Sequence, residues 1–314
     1  MRWSLSASKV FSQCPKKWYY EALFADSKTK EPLRKEAYVL KHLQSVYSWR
    51  GKLVDQVITR FVVPKLNRHE QIDIDEVLAY ASWLTEAQLT FAKTQLYRNN
   101  GTNRTKPSMC NYCALFELEY NGGLADEAIE QAKDEAKSAL FNVLNSRLFY
   151  EIIEDGLHLI AQRTLQFPFA GVNVKCTPDL IVFFRSKPPT IIDWKVEAPK
   201  HKEHWLQLGL YGFALSRVMP HKDFPVEWRT TLKNPTKIDL LEFQLLRNQE
   251  LHYCLTQDDV IDIEDYIYMS SMRMRQMING NSKPEVIVNL LPTARSPRIC
   301  AICKFRKICW REPT

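Results

Sequence analysis

The chain has 314 residues, 45% hydrophobic and 25% charged, enough to bury a sizeable core as one large domain or two small ones. Its formal net charge of +7 is moderately basic, which favours a polyanionic partner such as nucleic acid without demonstrating one. No apolar run approaches the roughly 18 residues that span a bilayer, and the opening MRWSLSASKV lacks the apolar core of a signal peptide. Both features point to a cytoplasmic protein with no membrane partner. In that reducing compartment the eight cysteines read as buried thiols, metal ligands or catalytic groups before disulfides.

Apolar residues recur every three or four positions in KHLQSVYSW, GKLVDQVITRFVV, DEVLAYASWLTEAQLTFAKTQLY and ADEAIEQAKDEAKSALFNVLNS, so residues 1 to about 150 are expected to be mainly helical. RNNGTNRTKPS, residues 98–108, breaks that pattern with a glycine, a proline and polar side chains and reads as an exposed loop. Its Arg98, Arg104 and Lys106 would suit a nucleic-acid backbone, although a solvated loop is the simpler reading. Beside it, Cys110 and Cys113 have the C-x-x-C spacing of a zinc site or a dithiol, but no second pair lies near in sequence.

From 159 to about 200 the texture changes. LIAQRTLQFPF, DLIVFF and TIIDWKV are short, aromatic and β-branched, separated by the turn signals AGVN and RSKPP, and predict strands. HWLQLGLYGFALSRV returns to helical spacing, after which FPVEWRTTL, KIDLLEFQLL and ELHYCLT suggest further strands. Cys176 and Cys254 sit in apolar strand surroundings and are expected in the core. DDVIDIEDYIYMSSMRMRQMI predicts a last helix, and the chain shows no repeat and no P-loop.

The strand-rich centre carries the most informative constellation. CTPDLIVFF places Pro178 and Asp179 at a strand entrance, and TIIDWKVE places Asp193, Trp194 and Lys195 fourteen residues on. Strand alternation puts Asp193 and Lys195 on one face and Trp194 on the other, leaving its backbone carbonyl available. If the two strands pair as a hairpin through RSKPPT, Asp179 approaches Asp193 and forms an oxygen-rich site for a hard cation, Mg²⁺ or Mn²⁺. Such an ion polarises a phosphodiester and lowers the pKa of bound water, while Lys195 orients that water or offsets charge on the phosphate. In isolation a D-x-K pair is more simply a solvated edge pair, with Asp179 capping a turn. The helix that follows changes the weighting. Gln207 and Tyr211 lie four residues apart, on one helix face, with His204 near the same stripe. They interrupt an apolar run and suit a cleft, where Gln and Tyr hydrogen-bond phosphate oxygens or stack on bases; a buried Tyr with a satisfied hydroxyl is the plainer alternative.

PD, DWK and Q-x-x-x-Y in that order resemble the PD-(D/E)xK nuclease superfamily, and within it the RecB-like exonuclease branch. The opening LSASKVFSQCPKKWYY is similar to that of the iron–sulfur members of the branch, which include AddB-type subunits and CRISPR-associated nucleases of spacer acquisition. The resemblance implies an α/β fold with a restriction-endonuclease-like mixed sheet. It implies one nuclease domain made of an N-terminal segment (1–19), a helical subdomain (20–150), the nuclease core (151–285) and a C-terminal iron–sulfur segment (286–314). It further implies a metal-dependent exonuclease acting on single-stranded DNA or DNA ends in repair, recombination or defence. Asp179, Asp193 and the Trp194 carbonyl would ligate the metal, Lys195 would position water, and Gln207 and Tyr211 would contact the substrate. The rival class is a non-catalytic DNA-binding module or a partner-activated trimming subunit, working with a separate helicase or a recombination or adaptation complex.

The same resemblance implies that Cys14 joins Cys300, Cys303 and Cys309 of CAICKFRKIC as ligands of a 4Fe-4S cluster that pins the two ends of the chain together. Four cysteines also make a closed zinc site, and spacing does not separate the two; the resemblance favours iron and sulfur. Lys304, Arg306, Lys307 and Arg311 are expected to offset thiolate charge or to meet a phosphate backbone. One position departs from the family. Where relatives carry G-x-x-x-H with a histidine ligand, RGKLVDQVI has Gly51 in place but Asp55 at the histidine position. An oxygen ligand there favours Mg²⁺ over Mn²⁺, or else the metal site is weakened. His158, in EDGLHLIAQ, is the other candidate ligand and reads as structural.

Overall fold

The computed structural model describes residues 1–99, 106–196, 204–229, 231–278 and 284–309; Arg104, Arg311 and the side chain of His204 lie outside the described residues. After a two-residue strand β1 (Arg2–Trp3), the first half is helical: α1 (Leu5–Gln13), α2 (Pro15–Tyr19), α3 (Pro32–Leu40), α4 (Val46–Val57), α5 (Val63–Asn67), α6 (Ile74–Lys93), α7 (Phe116–Tyr120), α8 (Asp126–Leu144) and α9 (Arg147–Asp155). The strands β2 (Gly156–Ala161), β3 (Leu165–Phe169), β4 (Val172–Cys176), β5 (Leu180–Phe184) and β6 (Thr190–Lys195) follow, then α10 (His204–Arg217), β7 (Asp239–Gln244), β8 (Gln249–Tyr253) and α11 (Gln257–Met277). Short helices α12 (Pro284–Leu290), α13 (Pro297–Ala301) and α14 (Arg306–Cys309) complete the described chain.

Side-chain caps set several of the helix starts. Ser45 accepts from the Ser48 N–H ahead of α4, Ser146 from the Phe149 N–H ahead of α9, and Thr256 with Asp259 forms a reciprocal capping box ahead of α11. No described helix is long and apolar enough to cross a membrane.

The main sheet has the order β2-β5-β6-β7-β8, with β6 and β7 parallel and the other neighbours antiparallel, so the mixed α/β architecture holds. A smaller sheet pairs β1 with β4 and β4 with β3. In the main sheet the two faces are both covered. Ile181, Phe183, Ile191 and Leu240 pack with Leu208 and Phe213 of α10 and Ile263 of α11. Leu180, Val182, Ile192, Leu241 and Phe243 point the other way, toward Val54 of α4, Leu84 of α6 and Leu140 of α8. Double burial is why β5 reads as an unbroken apolar run rather than an alternating one. Each such side chain contributes about 1.5–3 kcal/mol of hydrophobic stabilisation.

Three expectations are corrected. FPVEWRTTL forms no strand among its described residues; Val226–Trp228 and Thr231–Lys233 are single 3₁₀ turns. Pro225 has no N–H to give a sheet ladder, and Trp228 docks by donating from Nε1 to the Phe184 carbonyl at 3.2 Å. LIAQRTLQFPF is two strands, split where Gln162 takes a left-handed conformation with φ of 49°. Cys254 is exposed, because it follows β8, the half-exposed edge of the sheet; Cys176 is buried as expected.

Where α9 hands over to β2, the Gly156 N–H bonds the Ile152 carbonyl, and a Cβ on Gly156 would stand 2.3 Å from that oxygen. Gly156→Ala is therefore expected to lower stability by about 2 kcal/mol, read as a reduced urea midpoint at unchanged m-value.

Candidate active site

The β5–β6 hairpin brings the sequence-predicted carboxylates together. Its register pairs Leu180 with Ile192, which carries Asp179 opposite Asp193. One Asp179 oxygen accepts from the Trp194 backbone N–H at 2.9 Å, and the other accepts from Gln162 Nε2 at 3.0 Å. The same Gln162 nitrogen donates to Asp55 Oδ1 at 2.8 Å, so the carboxylate of α4 reaches the sheet. Asp193, only 2% exposed, is ion-paired with Lys195 and accepts from Gln207 Nε2 at 2.9 Å. Gln207 Nε2 also donates to the Tyr211 hydroxyl at 2.8 Å, joining α10 to β6. Asp55, Asp179, Asp193, Lys195, Gln207 and Tyr211 thus form one connected group.

Two further side chains belong to it that sequence reasoning missed. Gln162 bridges two carboxylates from the left-handed turn after β2, and no local pattern marks it. Glu242 of β7 stands beside Asp193 in the parallel register, is 1% exposed, and accepts from Gln244 Nε2 at 2.9 Å. A carboxylate set inside the apolar run LLEFQLL was the available signal. His158 lies half-buried in β2, where burial and then Arg163 lower its pKa; among the described residues no hydrogen bond ties it to the carboxylates.

Crowding of negative charge dominates the electrostatics. Burial, then Asp193 and Asp55, hold the Asp179 carboxyl well above the usual range, against the pull of the Trp194 N–H and Lys195. Asp55 is pushed up to about 6, chiefly by burial with Asp193 adding, while hydrogen bonds from Gln162 and Thr59 work the other way. Burial works against the Lys195 charge, but Asp193, Asp179 and Glu242 outweigh it and raise its pKa, so Lys195 stays an ammonium. Burial and the neighbouring Asp193 and Asp179 also raise the Tyr211 hydroxyl.

Four carboxylates, Asp55, Asp179, Asp193 and Glu242, share one ammonium, a deficit of positive charge that a hard divalent cation with oxygen ligands would fill. Among the described residues no three His, Cys, Asp or Glu are grouped closely enough to hold an ion as placed. The Gln162 amide, donating to Asp55 and Asp179 at once, occupies the space between them.

A model of the PD-(D/E)XK nuclease superfamily matches residues 2–310. The chain belongs to that superfamily. A search of curated proteins found no match. Among solved structures, SSO0001 is similar at 16% identity over 63% of this chain and 80% of its own, with a TM-score of 0.29. A protein named a putative exonuclease, from Eubacterium rectale, is similar at 8% identity over 91% of this chain and 95% of its own, with a TM-score of 0.37. VC1899 from Vibrio cholerae is similar at 10% identity over 75% of this chain and 61% of its own, with a TM-score of 0.25. Superpositions this loose carry no weight for the site.

This superfamily member also brings four cysteines to one cavity, although among the described residues no three of them are grouped closely enough to hold an ion as placed. Cys14, Cys300, Cys303 and Cys309 line one cavity together with Lys17, Tyr20 and Phe305. Cys14 caps α2, its Sγ accepting from the Lys17 N–H at 3.3 Å. The two ends of the chain also meet through the Lys16 N–H to the Pro292 carbonyl at 3.2 Å, and Tyr20 stacks on Phe305 at 5.2 Å. Burial raises the Cys303 and Cys309 thiols, with Lys17 and Lys16 respectively pulling them back.

Three of the C-terminal cations have partners within the chain, and Arg306 also lines the cysteine cavity. Lys304 pairs with Glu21 and donates to the Lys41 carbonyl, Arg306 lies over the Tyr120 ring at 4.2 Å, and Lys307 pairs with Glu119. Arg98 is likewise paired, its half-buried side chain held by Glu36 and Glu119. Cys113 is fully buried, its thiol pushed up to about 12 by burial, which makes it a core residue rather than a redox or zinc partner of Cys110.

The sign of the Asp55 shift has a measurable outcome. A carboxyl with pKa near 6 when folded and near 3.8 when unfolded destabilises the metal-free fold at pH 7, and the penalty vanishes below about pH 4. Asp55→Asn should therefore stabilise the metal-free protein at pH 7, by up to about 3 kcal/mol. The gain should disappear as thermal melts are repeated from pH 6 down to pH 4.

Proposed function

We propose that the chain is a metal-dependent deoxyribonuclease of the RecB-like branch, an exonuclease acting on single-stranded DNA or DNA ends. The convergence of Asp55, Asp179, Asp193 and Lys195 at one end of a covered hairpin, beside the linked pair Gln207–Tyr211, carries this reading. Asp179, Asp193, Asp55 and the Trp194 carbonyl would hold Mg²⁺ or Mn²⁺, which when bound polarises a phosphodiester and lowers the pKa of water. Lys195, kept charged by its carboxylate neighbours, serves as an electrostatic partner for the phosphate and not as a base. Asp193 fixes the Gln207 amide, and the Tyr211 hydroxyl, which accepts from Gln207, keeps its own proton to donate to a phosphate oxygen.

The four cysteines are proposed to bind a 4Fe-4S cluster. Their shared cavity, the N–H···S bond at Cys14, and the nearby Lys16 and Lys17 support this, since such donors and charges stabilise thiolate ligands. The cluster would then act as a clasp between the ends of the chain. A place in cytoplasmic DNA repair, recombination or defence, with a separate helicase or an adaptation complex as partner, follows from the RecB-like reading.

Wild-type protein with Mg²⁺ or Mn²⁺ should shorten end-labelled single-stranded DNA. Asp193→Asn and Lys195→Ala should each reduce the rate by about 10²-fold or more while DNA binding persists. Binding without cleavage by wild type would replace the enzyme with the non-catalytic module. Anaerobic purification should yield coloured protein with about four iron atoms per chain, and Cys14→Ser and Cys309→Ser should lose the visible absorption and melt at lower temperature. Colourless protein carrying one zinc would remove the cluster and leave the nuclease core.

A further inference from the structure

The carboxylate site itself repels phosphate, so a nucleic-acid strand needs positive charge close by. A cavity of about 400 Å³ adjoins the site and shares Gln207 and Tyr211 with it. Lys9 of α1 and Lys175 of β4 line it, Leu5 and Leu210 give it an apolar floor, and no carboxylate is among its lining residues. The placement is fixed by the small sheet: β1 runs parallel to β4, pairing Arg2 with Asn173 and Trp3 with Val174, and so delivers α1 to the strand that carries Lys175. A volume of this size falls within the range of small-molecule sites of about 300–1,000 Å³ and matches an unpaired nucleotide, not a duplex.

We propose that this cavity is the subsite for the unpaired nucleotide that flanks the scissile phosphate on the Gln207–Tyr211 side. Its phosphate is met by Lys9 and Lys175, and its sugar and base lie on the Leu5 and Leu210 floor. The subsite deepens the nuclease reading and rests on it. It turns a charge-repelling hydrolytic centre into one that accepts a single strand, because each lysine releases counterions from the strand it contacts.

Fluorescence anisotropy of a labelled single strand, with chelator present so that nothing is cut, tests the subsite on the full chain. The double variant Lys9→Gln/Lys175→Gln should reduce the magnitude of the slope of log K against log salt by about 0.7, the contribution of the one single-strand phosphate that the two lysines share. Exposed Lys237→Gln, on the connection before β7, should leave the slope unchanged. In cleavage assays the double variant should raise KM at nearly constant kcat, with Lys9→Arg/Lys175→Arg restoring it. An unchanged slope, or a blunt duplex that competes as well as the single strand, overturns the subsite. DNA that is cut with the slope unchanged removes the subsite and leaves the hydrolase. DNA that is bound with the predicted slope change but never cut removes the hydrolase and leaves the subsite, and protein that neither binds nor cuts overturns both.

Discussion

Holding like charges together away from water is the constraint around which this molecule is arranged. Asp55, Asp179 and Asp193 come from a helix, a strand entrance and a strand; Asp193 raises the cost of ionising both Asp55 and Asp179, and Asp55 adds to that of Asp179. A flexible loop could not keep them in place, because the chain would relax to separate them. Here β5 and β6 are covered on both faces, and their pairing fixes Asp179 against Asp193. Gln162, the Trp194 N–H, Gln207 and Lys195 offset part of the charge without removing the deficit. Such deficits are a characteristic of functional sites, where stability is given up for chemistry.

That division explains which parts of the site the sequence exposed. Asp179, Asp193 and Lys195 were legible because a hairpin and a two-residue alternation connect them through local geometry alone. Gln207 and Tyr211 were legible because one turn of helix places them together. Asp55 could be named only through the resemblance, since it lies 107 residues before its hydrogen-bonding neighbour Gln162. Gln162 was hidden because its role depends on a left-handed residue that cuts an apolar run in two. Glu242 depends on the parallel pairing of β6 with β7 across the crossover that contains α10, a register no local pattern reveals.

The misread residues fail for the same reason. The partners of Lys304, Arg306 and Lys307, namely Glu21, Tyr120 and Glu119, left no local trace because they lie almost two hundred residues or more away. FPVEWRTTL has the composition of a strand, yet Pro225 and the docking of Trp228 favour 3₁₀ turns, so tertiary context overrides propensity. Cys254 has apolar neighbours but follows an edge strand, and burial depends on the place of a strand within its sheet and not on the strand alone.

One helix links the two clusters of chemistry. α1 begins beside the cavity that adjoins Gln207 and Tyr211 and ends at Cys14, about 13 Å away along nine residues of helix. Its buried face, Leu5, Ser8 and Phe11, seats it on the core, and Ser8 meets Tyr266 of α11 at 3.2 Å. If Cys14 is a cluster ligand, its metal bond fixes one end of the helix that carries Lys9 at its midpoint. Rigidity at Cys14 then limits how far Lys9 can move from Lys175, since a short, straight helix transmits displacement of one end to the other. Were the cluster and the nucleotide subsite both present, α1 would couple them mechanically, since Lys9 and Cys14 lie five residues apart on one helix and its cap.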